Sequence, residues 1–162
     1  MSRETKNTDQ TASDVGGGKF LTFVLAEEEY GIEILSVREI IGLLPVTPVP
    51  QSPYYVKGVV NLRGQVIPVV DLRLKFDMEA IDATDETCII VVQTGGVQLG
   101  IIVDKVSEVL DIHGDDIVDA PTLGTEINTD YIMGIGKSEG RVTLLLDIGR
   151  VFPSQEVSEM AA

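Results

Sequence analysis

A chain of 162 residues that is 44% apolar can bury a core without disulfide or metal staples. Its 26 acidic residues against 12 basic ones give a net charge of −14, which excludes a nucleic-acid binder and an anionic membrane surface as partner, since both need clustered cations. The one cysteine, Cys88, excludes an internal disulfide and fits a reducing compartment.

In chain order, residues 1–18 read as a disordered polar tail ending in Gly16-Gly17-Gly18, a flexible joint. Met1–Gln10 has no apolar stretch of the kind a secretion signal needs, and no segment approaches the roughly 18 apolar residues of a membrane span. Phe20–Val24 is a strand. Glu27-Glu28-Glu29 reads as a solvated turn between strands. Ile34, Val37, Ile40 and Ile41 recur at helical spacing, as do Val103, Val106, Val109 and Leu110, so both stretches are expected to be short helices. Pro45–Pro53 is extended, with Thr47 and Val49 pairing along an edge. Val56–Val70 holds two β-branched runs around Arg63-Gly64. Cys88–Val92, Val97–Val103 and Arg141–Leu146 continue the pattern, with Cys88 acting as a small buried hydrophobe. Asp147–Glu159 is expected to form a C-terminal helix, and residues 157–162 a flexible end.

Two windows repeat. Tyr30–Ile41 shifted by 69 falls on Leu99–Leu110, and Tyr55–Phe76 shifted by 76 falls on Tyr131–Phe152. The second pair shares Tyr55/Tyr131, Gly58/Gly134, Gly64/Gly140, Val66/Val142, Asp71/Asp147 and Phe76/Phe152. Two windows in the same order make chance a poor explanation. The shift grows by 7 (76 − 69), so the second copy has a longer connection between Leu110 and Tyr131. Gly64 and Gly140 fall at hairpin turns that need positive φ, Gly58 and Gly134 at bulges inside strands, and Asp71 and Asp147 at helix N-caps. The fold class is mostly β: an internal duplication giving two five-stranded barrels, with short helices.

The chain carries little chemistry. There is no Gly-x-Ser-x-Gly elbow, no phosphate loop and no dinucleotide fingerprint. His113 stands in a surface loop. Asp111, Asp115, Asp116 and Asp119 lack the spacing of a calcium loop, so no metal and no cofactor is expected. A metal-dependent hydrolase on a small barrel is the enzymatic alternative. One departure between the copies stands out: Asn61-Leu62-Arg63-Gly64 in the first faces Lys137-Ser138-Glu139-Gly140 in the second. Leu62 beside Arg63 places an apolar residue and a five-donor cation at one tip, a pairing that interfaces favour.

The segment from Val56 to Leu72, with Asn61-Leu62-Arg63-Gly64 and Ile67-Pro68-Val69-Val70-Asp71, closely resembles the hallmark stretch of the CheW family of bacterial chemotaxis coupling proteins. Phe20–Val24, Tyr30-Gly31-Ile32, Val37-Arg38-Glu39-Ile40, Leu99–Val106 and Leu144–Asp147 support it, so the similarity runs from about Gly18 to Gln155. The resemblance implies a CheW-like domain over residues 19–156 made of two SH3-like subdomains. It implies a non-enzymatic adaptor, located in the cytoplasm with receptor arrays at the inner membrane. The partners it implies are the regulatory domain of the chemotaxis histidine kinase and the cytoplasmic helical tip of methyl-accepting chemoreceptors. By position, Val37, Glu39 and Arg63 match family residues implicated in coupling. Ile40 and Val109 fall where a receptor-facing groove between the subdomains would lie, and Gly58 and Gly64 match structural glycines. A related chemosensory pathway controlling pili or development is the alternative setting.

Overall fold

The structure is a computed structural model, and it describes residues 17–119 and 129–153. Eleven strands among the described residues form two sheets. β1 (Gly18–Leu25) and β2 (Glu28–Glu33) make a hairpin, followed by β3 (Val37–Gly42). β4 (Val56–Leu62), β5 (Gln65–Asp71) and the single turn of helix α1 (Leu72–Lys75) complete the first copy. The second copy runs β6 (Cys88–Thr94), β7 (Val97–Val103), β8 (Lys105–Ile112), β9 (Ile117–Val118), β10 (Ile132–Ser138), β11 (Arg141–Leu146) and α2 (Ile148–Val151).

Neither barrel is one copy. One sheet has the order β9-β10-β11-β2-β1-β8, the other β3-β6-β7-β5-β4. Each barrel therefore takes a hairpin from one copy and the remaining strands from the other. The registers repeat across the swap. Phe20 pairs with Glu33 and Leu110 as Ile89 pairs with Ile102 and Ile41. The parallel pair Leu145–Gly31 answers Val69–Gly100. The Thr47–Val59 bridge is the counterpart of β9 on β10, which gives each barrel the same sixth position; Val49 does not pair. Val59 lies 12 positions after Thr47 and Ile135 lies 17 positions after Val118, so most of the insertion follows Val118.

The turn and cap expectations hold. Arg63-Gly64 and Glu139-Gly140 are two-residue hairpin loops with positive φ at both positions. Register shifts mark Gly58 and Gly134 as bulges. The carboxylates of Asp71 and Asp147 accept backbone N–H bonds at the starts of α1 and α2.

The two expected helices around Val37 and Val106 are strands. The triplet spacing arises because a single 3-10 turn, Ile34–Ser36, leads into β3, and because β3 and β8 each carry a bulge. Val37 and Glu39 oppose the adjacent Val92 and Val91, so one extra residue stretches a two-residue period to three. The turn expected at Glu27–Glu29 is Ala26-Glu27, both with positive φ, and Glu29 lies within β2. Gly18 already pairs with Ile112, so the tail expected over residues 1–18 stops short of it; its first sixteen residues lie outside the described part. The C-terminal helix expected to reach Glu159 is seen as one turn, α2; residues 154–162 lie outside the described part, as does the flexible end at 157–162.

Each barrel wraps a small core: Val60, Ile67, Val69, Ile89 and Val91 in one, Phe20, Leu110, Ile112 and Leu145 in the other. A larger core lies between the sheets and includes Phe23, Tyr30, Ile32, Val70, Ile90, Leu99, Ile101 and Leu146. Paired positions of the two copies meet there. Tyr55, Tyr131 and Phe152 surround the buried Lys75 ammonium, which sits 4.4 Å from the Tyr55 ring centroid. Cys88 is half-buried against this core, and burial pushes its thiol pKa up.

Tyr30 is buried among Phe23 and Phe76, yet its hydroxyl has no hydrogen-bond partner among the described residues. The equivalent position of the other copy is Leu99. Tyr30→Phe is expected to stabilise the fold by about 1 kcal/mol, because it removes a buried polar group without opening a cavity. A urea midpoint below that of the parent would disprove this.

An ion pair joins α1 to the link between β7 and β8, and a turn of the other barrel hydrogen-bonds to it. Arg73 of α1 donates to Asp104 through Nε at 2.8 Å and Nη2 at 2.6 Å, and the Ala26 N–H in the β1–β2 turn donates to the same carboxylate at 2.9 Å. Hydrogen bonds from Arg73 hold the Asp104 pKa below its ordinary 3.8. A carboxylate with a depressed folded pKa stabilises above its unfolded value, and the contribution is lost as pH falls through the folded value. Asp104→Asn is therefore expected to cost about 1–2 kcal/mol at pH 7, discounted for partial exposure, and progressively less below pH 3.8. Melting curves at pH 7 and pH 3 check this: an equal deficit at both would remove the electrostatic explanation.

Candidate functional site: the Arg63 turn and its counterpart

The β4–β5 hairpin ends in a turn whose sequence dictates its shape. Asn61 accepts a hydrogen bond from the Gly64 N–H at 2.8 Å through its side-chain oxygen, closing the loop. Arg63 takes φ +53° and Gly64 φ +86°, the pair that a two-residue turn of this hand requires. The side chain of Leu62 turns inward onto the barrel core, so the apolar residue expected at the tip is not displayed there.

This geometry throws Arg63 across to β3. Its Nη1 donates to Glu39 Oε1 at 3.1 Å and its Nη2 donates to Glu39 Oε2, a forked pair. The arginine remains mostly exposed while Glu39 is partly covered. The bonds from Arg63 hold the Glu39 carboxyl below the usual carboxylate range, and the carboxylate raises the guanidinium pKa. Both groups stay charged at neutral pH, and with two donors committed the fork keeps further N–H groups for a partner.

The structure thus brings two of the five candidate residues into direct contact. Val37 lies two positions from Glu39 on β3, half-buried against the central core. Ile40 and Val109 hold equivalent places on the edge strands β3 and β8, and are 45% and 49% exposed. Their cross-strand partners, Ile90 and Leu21, belong to the core between the barrels, so both side chains emerge on that side of their sheets.

The second barrel holds a counterpart that the sequence comparison missed. Glu108 occupies the position of Glu39, and Arg141 Nη2 donates to its Oε2 at 2.9 Å. Arg141 also lies 3.6 Å from Glu29, which accepts from the Thr143 hydroxyl at 2.9 Å. Aligning the turns set Arg63 against Glu139 and suggested that the arginine was lost. The arginine has moved two places along the hairpin instead. The signal was present in the conserved glutamate of β3 and β8, which in each copy needs a cation from the neighbouring turn.

The CheW-like domain model matches residues 19–156. The chain belongs to the CheW-like domain family. The chain is 40% identical to the chemotaxis protein CheW of Klebsiella aerogenes over 147 residues, covering 91% of this chain and 89% of that one. It is 38% identical to the CheW of Rhizobium meliloti over 141 residues, covering 87% and 91%. Among solved structures, it superposes on the scaffolding protein TtCheW of Thermoanaerobacter tengcongensis with a TM-score of 0.79 and 33% identity, covering 86% of this chain and 95% of that one. Within this CheW-like domain, none of the described helices is long and apolar enough to cross a membrane.

Proposed function

We propose that this CheW-like domain is a non-enzymatic chemotaxis adaptor. It joins the regulatory domain of a chemotaxis histidine kinase to the cytoplasmic helical tip of methyl-accepting chemoreceptors, in arrays at the inner membrane. The observation that carries this reading is the Arg63–Glu39 fork beside the exposed edge of β3, in a chain whose relatives are named chemotaxis proteins. An exposed arginine set among apolar neighbours is a common anchor of protein interfaces. The half-exposed Ile40 and Val109 rim the central core on equivalent edge strands. Such a rim suits the apolar face of an amphipathic helix, whose polar side Arg63 would orient. The net charge of −14 favours partners with local basic spots.

Size-exclusion mixing tests this directly. The chain is expected to elute with the kinase regulatory domain, and in a ternary peak when a receptor-tip fragment is added. Independent elution from both partners would refute the adaptor reading.

A further inference from the structure

We propose that Asp104 is a positioning residue: its carboxylate fixes how the two barrels meet, and so sets the spacing of Ile40 and Val109. In chain order the strands change sheet twice, from β2 to β3 and from β7 to β8. Each crossing leads into an edge strand, β3 carrying Ile40 and β8 carrying Val109. Under the shift of 69 the crossings are equivalent. Leu35 corresponds to Asp104, and each rim residue lies five positions further on (40 − 35 and 109 − 104).

The crossings differ in chemistry. Asp104 is the single residue between β7 and β8, and its N–H donates to the Val24 carbonyl at 3.2 Å. Its Oδ1 accepts from Arg73 Nε. Its Oδ2 accepts both from Arg73 Nη2 and from the Ala26 N–H. One carboxylate thus joins α1, which follows a strand of one barrel, to the hairpin turn of the other. Both side chains of the ion pair are mostly buried, where a charge-assisted fork is strong and directional. The equivalents of Asp104, Arg73 and Ala26 are Leu35, Gly149 and Gly95, whose side chains offer neither carboxylate nor guanidinium. The hairpin turns carry the same distinction. Gly95 and Gly96 take φ +59° and +78°, which glycine adopts freely. Their counterparts Ala26 and Glu27 take φ +51° and +70°, which residues with a Cβ rarely adopt. Strained residues persist where their surroundings hold them, and here the Asp104 carboxylate holds the Ala26 N–H. A helix laid across both rims needs their spacing fixed beforehand, because a groove that must be ordered on binding gives up affinity. That purpose rests on the adaptor reading; the clamp itself does not.

Spin-label distances in the full chain, in a Cys88→Ser background, test it. Arg38→Cys and Ser107→Cys place labels at equivalent exposed positions on β3 and β8, across the two barrels. Lys57→Cys and Gln93→Cys place an exposed control pair within one barrel. Adding Asp104→Asn is expected to broaden the Arg38–Ser107 distance distribution by about 2 Å, the scale of shifts between packed elements, and to leave the control pair unchanged. An unchanged Arg38–Ser107 distribution would overturn the proposal, because the central core alone would then fix the barrels. Equal broadening of both pairs would also overturn it, by showing a general loosening of the fold. In unlabelled chains, Asp104→Asn should bind a receptor-tip fragment about fivefold more weakly, the lower end of coupling between separate sites. Broadened distances with unchanged affinity would overturn the link to the rim. Broadening in a chain whose parent binds no fragment refutes the adaptor reading and leaves the clamp. Binding by the parent with unbroadened distances refutes the clamp and leaves the adaptor.

Discussion

Gly58→Ala is expected to destabilise the fold by about 3 kcal/mol or more, because among the described glycines its added methyl group meets the closest backbone contact. A Cβ at Gly58 would lie 2.1 Å from the Thr47 carbonyl oxygen and 2.6 Å from its carbon, and its φ of +146° is one that L residues rarely adopt. The contact is backbone against backbone, so no rotamer change relieves it. The bulge brings β4 close enough for Thr47 and Val59 to exchange two hydrogen bonds of 2.8 and 2.9 Å, and the added methyl would separate them. Gly64→Ala is the control. Its φ is +86°, but nothing lies within 4 Å of the added atom, so only the backbone penalty of about 1 kcal/mol applies. Denaturant titration of both variants separates close approach from conformation. Equal midpoints would show that the crowding at Thr47 relaxes at no cost.

Arg63→Glu is expected to leave the melting temperature within about 2 °C of the parent, since the exposed pair stabilises little. It should weaken association with a receptor-tip fragment about tenfold or more, the scale at which a charged anchor of an interface is lost. The reversal faces Glu39 with a second carboxylate, so the side chain swings away and the cation disappears from the tip. The double variant Glu39→Arg/Arg63→Glu restores a pair between turn and strand but inverts its polarity. On the proposed adaptor reading, binding should stay weak in the double variant, because the partner would meet the guanidinium fork and not the rigidity of the turn. Titration of the receptor fragment against the three proteins decides the point. Full binding by the single variant removes Arg63 from the site, and full recovery in the double variant makes the pair a positioning device only.

The two turns are less asymmetric than their sequences suggest. Arg63 and Glu139 are equivalent in position along the hairpin but not in role. The spatial unit is the cation that meets the β3 or β8 glutamate, and Arg141 supplies it from the strand side of the turn. Position along a hairpin can drift by two residues and keep the same face, because side chains alternate with a period of two. Leu62 shows the complementary error. An apolar residue next to a turn arginine looks displayed in sequence, but strand alternation sends it to the barrel core.

Much else was legible because it depends on local chemistry. Positive φ at Gly64 and Gly140, aspartate caps on α1 and α2, and the β-branched runs of β4 to β7 follow from the preferences of single residues. The repeat itself was visible as two shifts, 69 and 76. The bulged strands were not, because an extra residue in β3 and β8 imitates helical spacing and only the partner strand reveals it.

Residue preferences and the internal repeat suffice for a mostly β fold built twice, and they single out the turn carrying Arg63. That each barrel borrows a hairpin from the other copy, and that Glu39 meets Arg63, is seen only in the folded chain. These outcomes depend on pairings between distant segments, such as Leu145 with Gly31 and Val69 with Gly100, which no local preference encodes. The physical reason is that a hairpin closes within its own sequence, whereas its neighbours in the sheet are chosen by which apolar faces can be buried together.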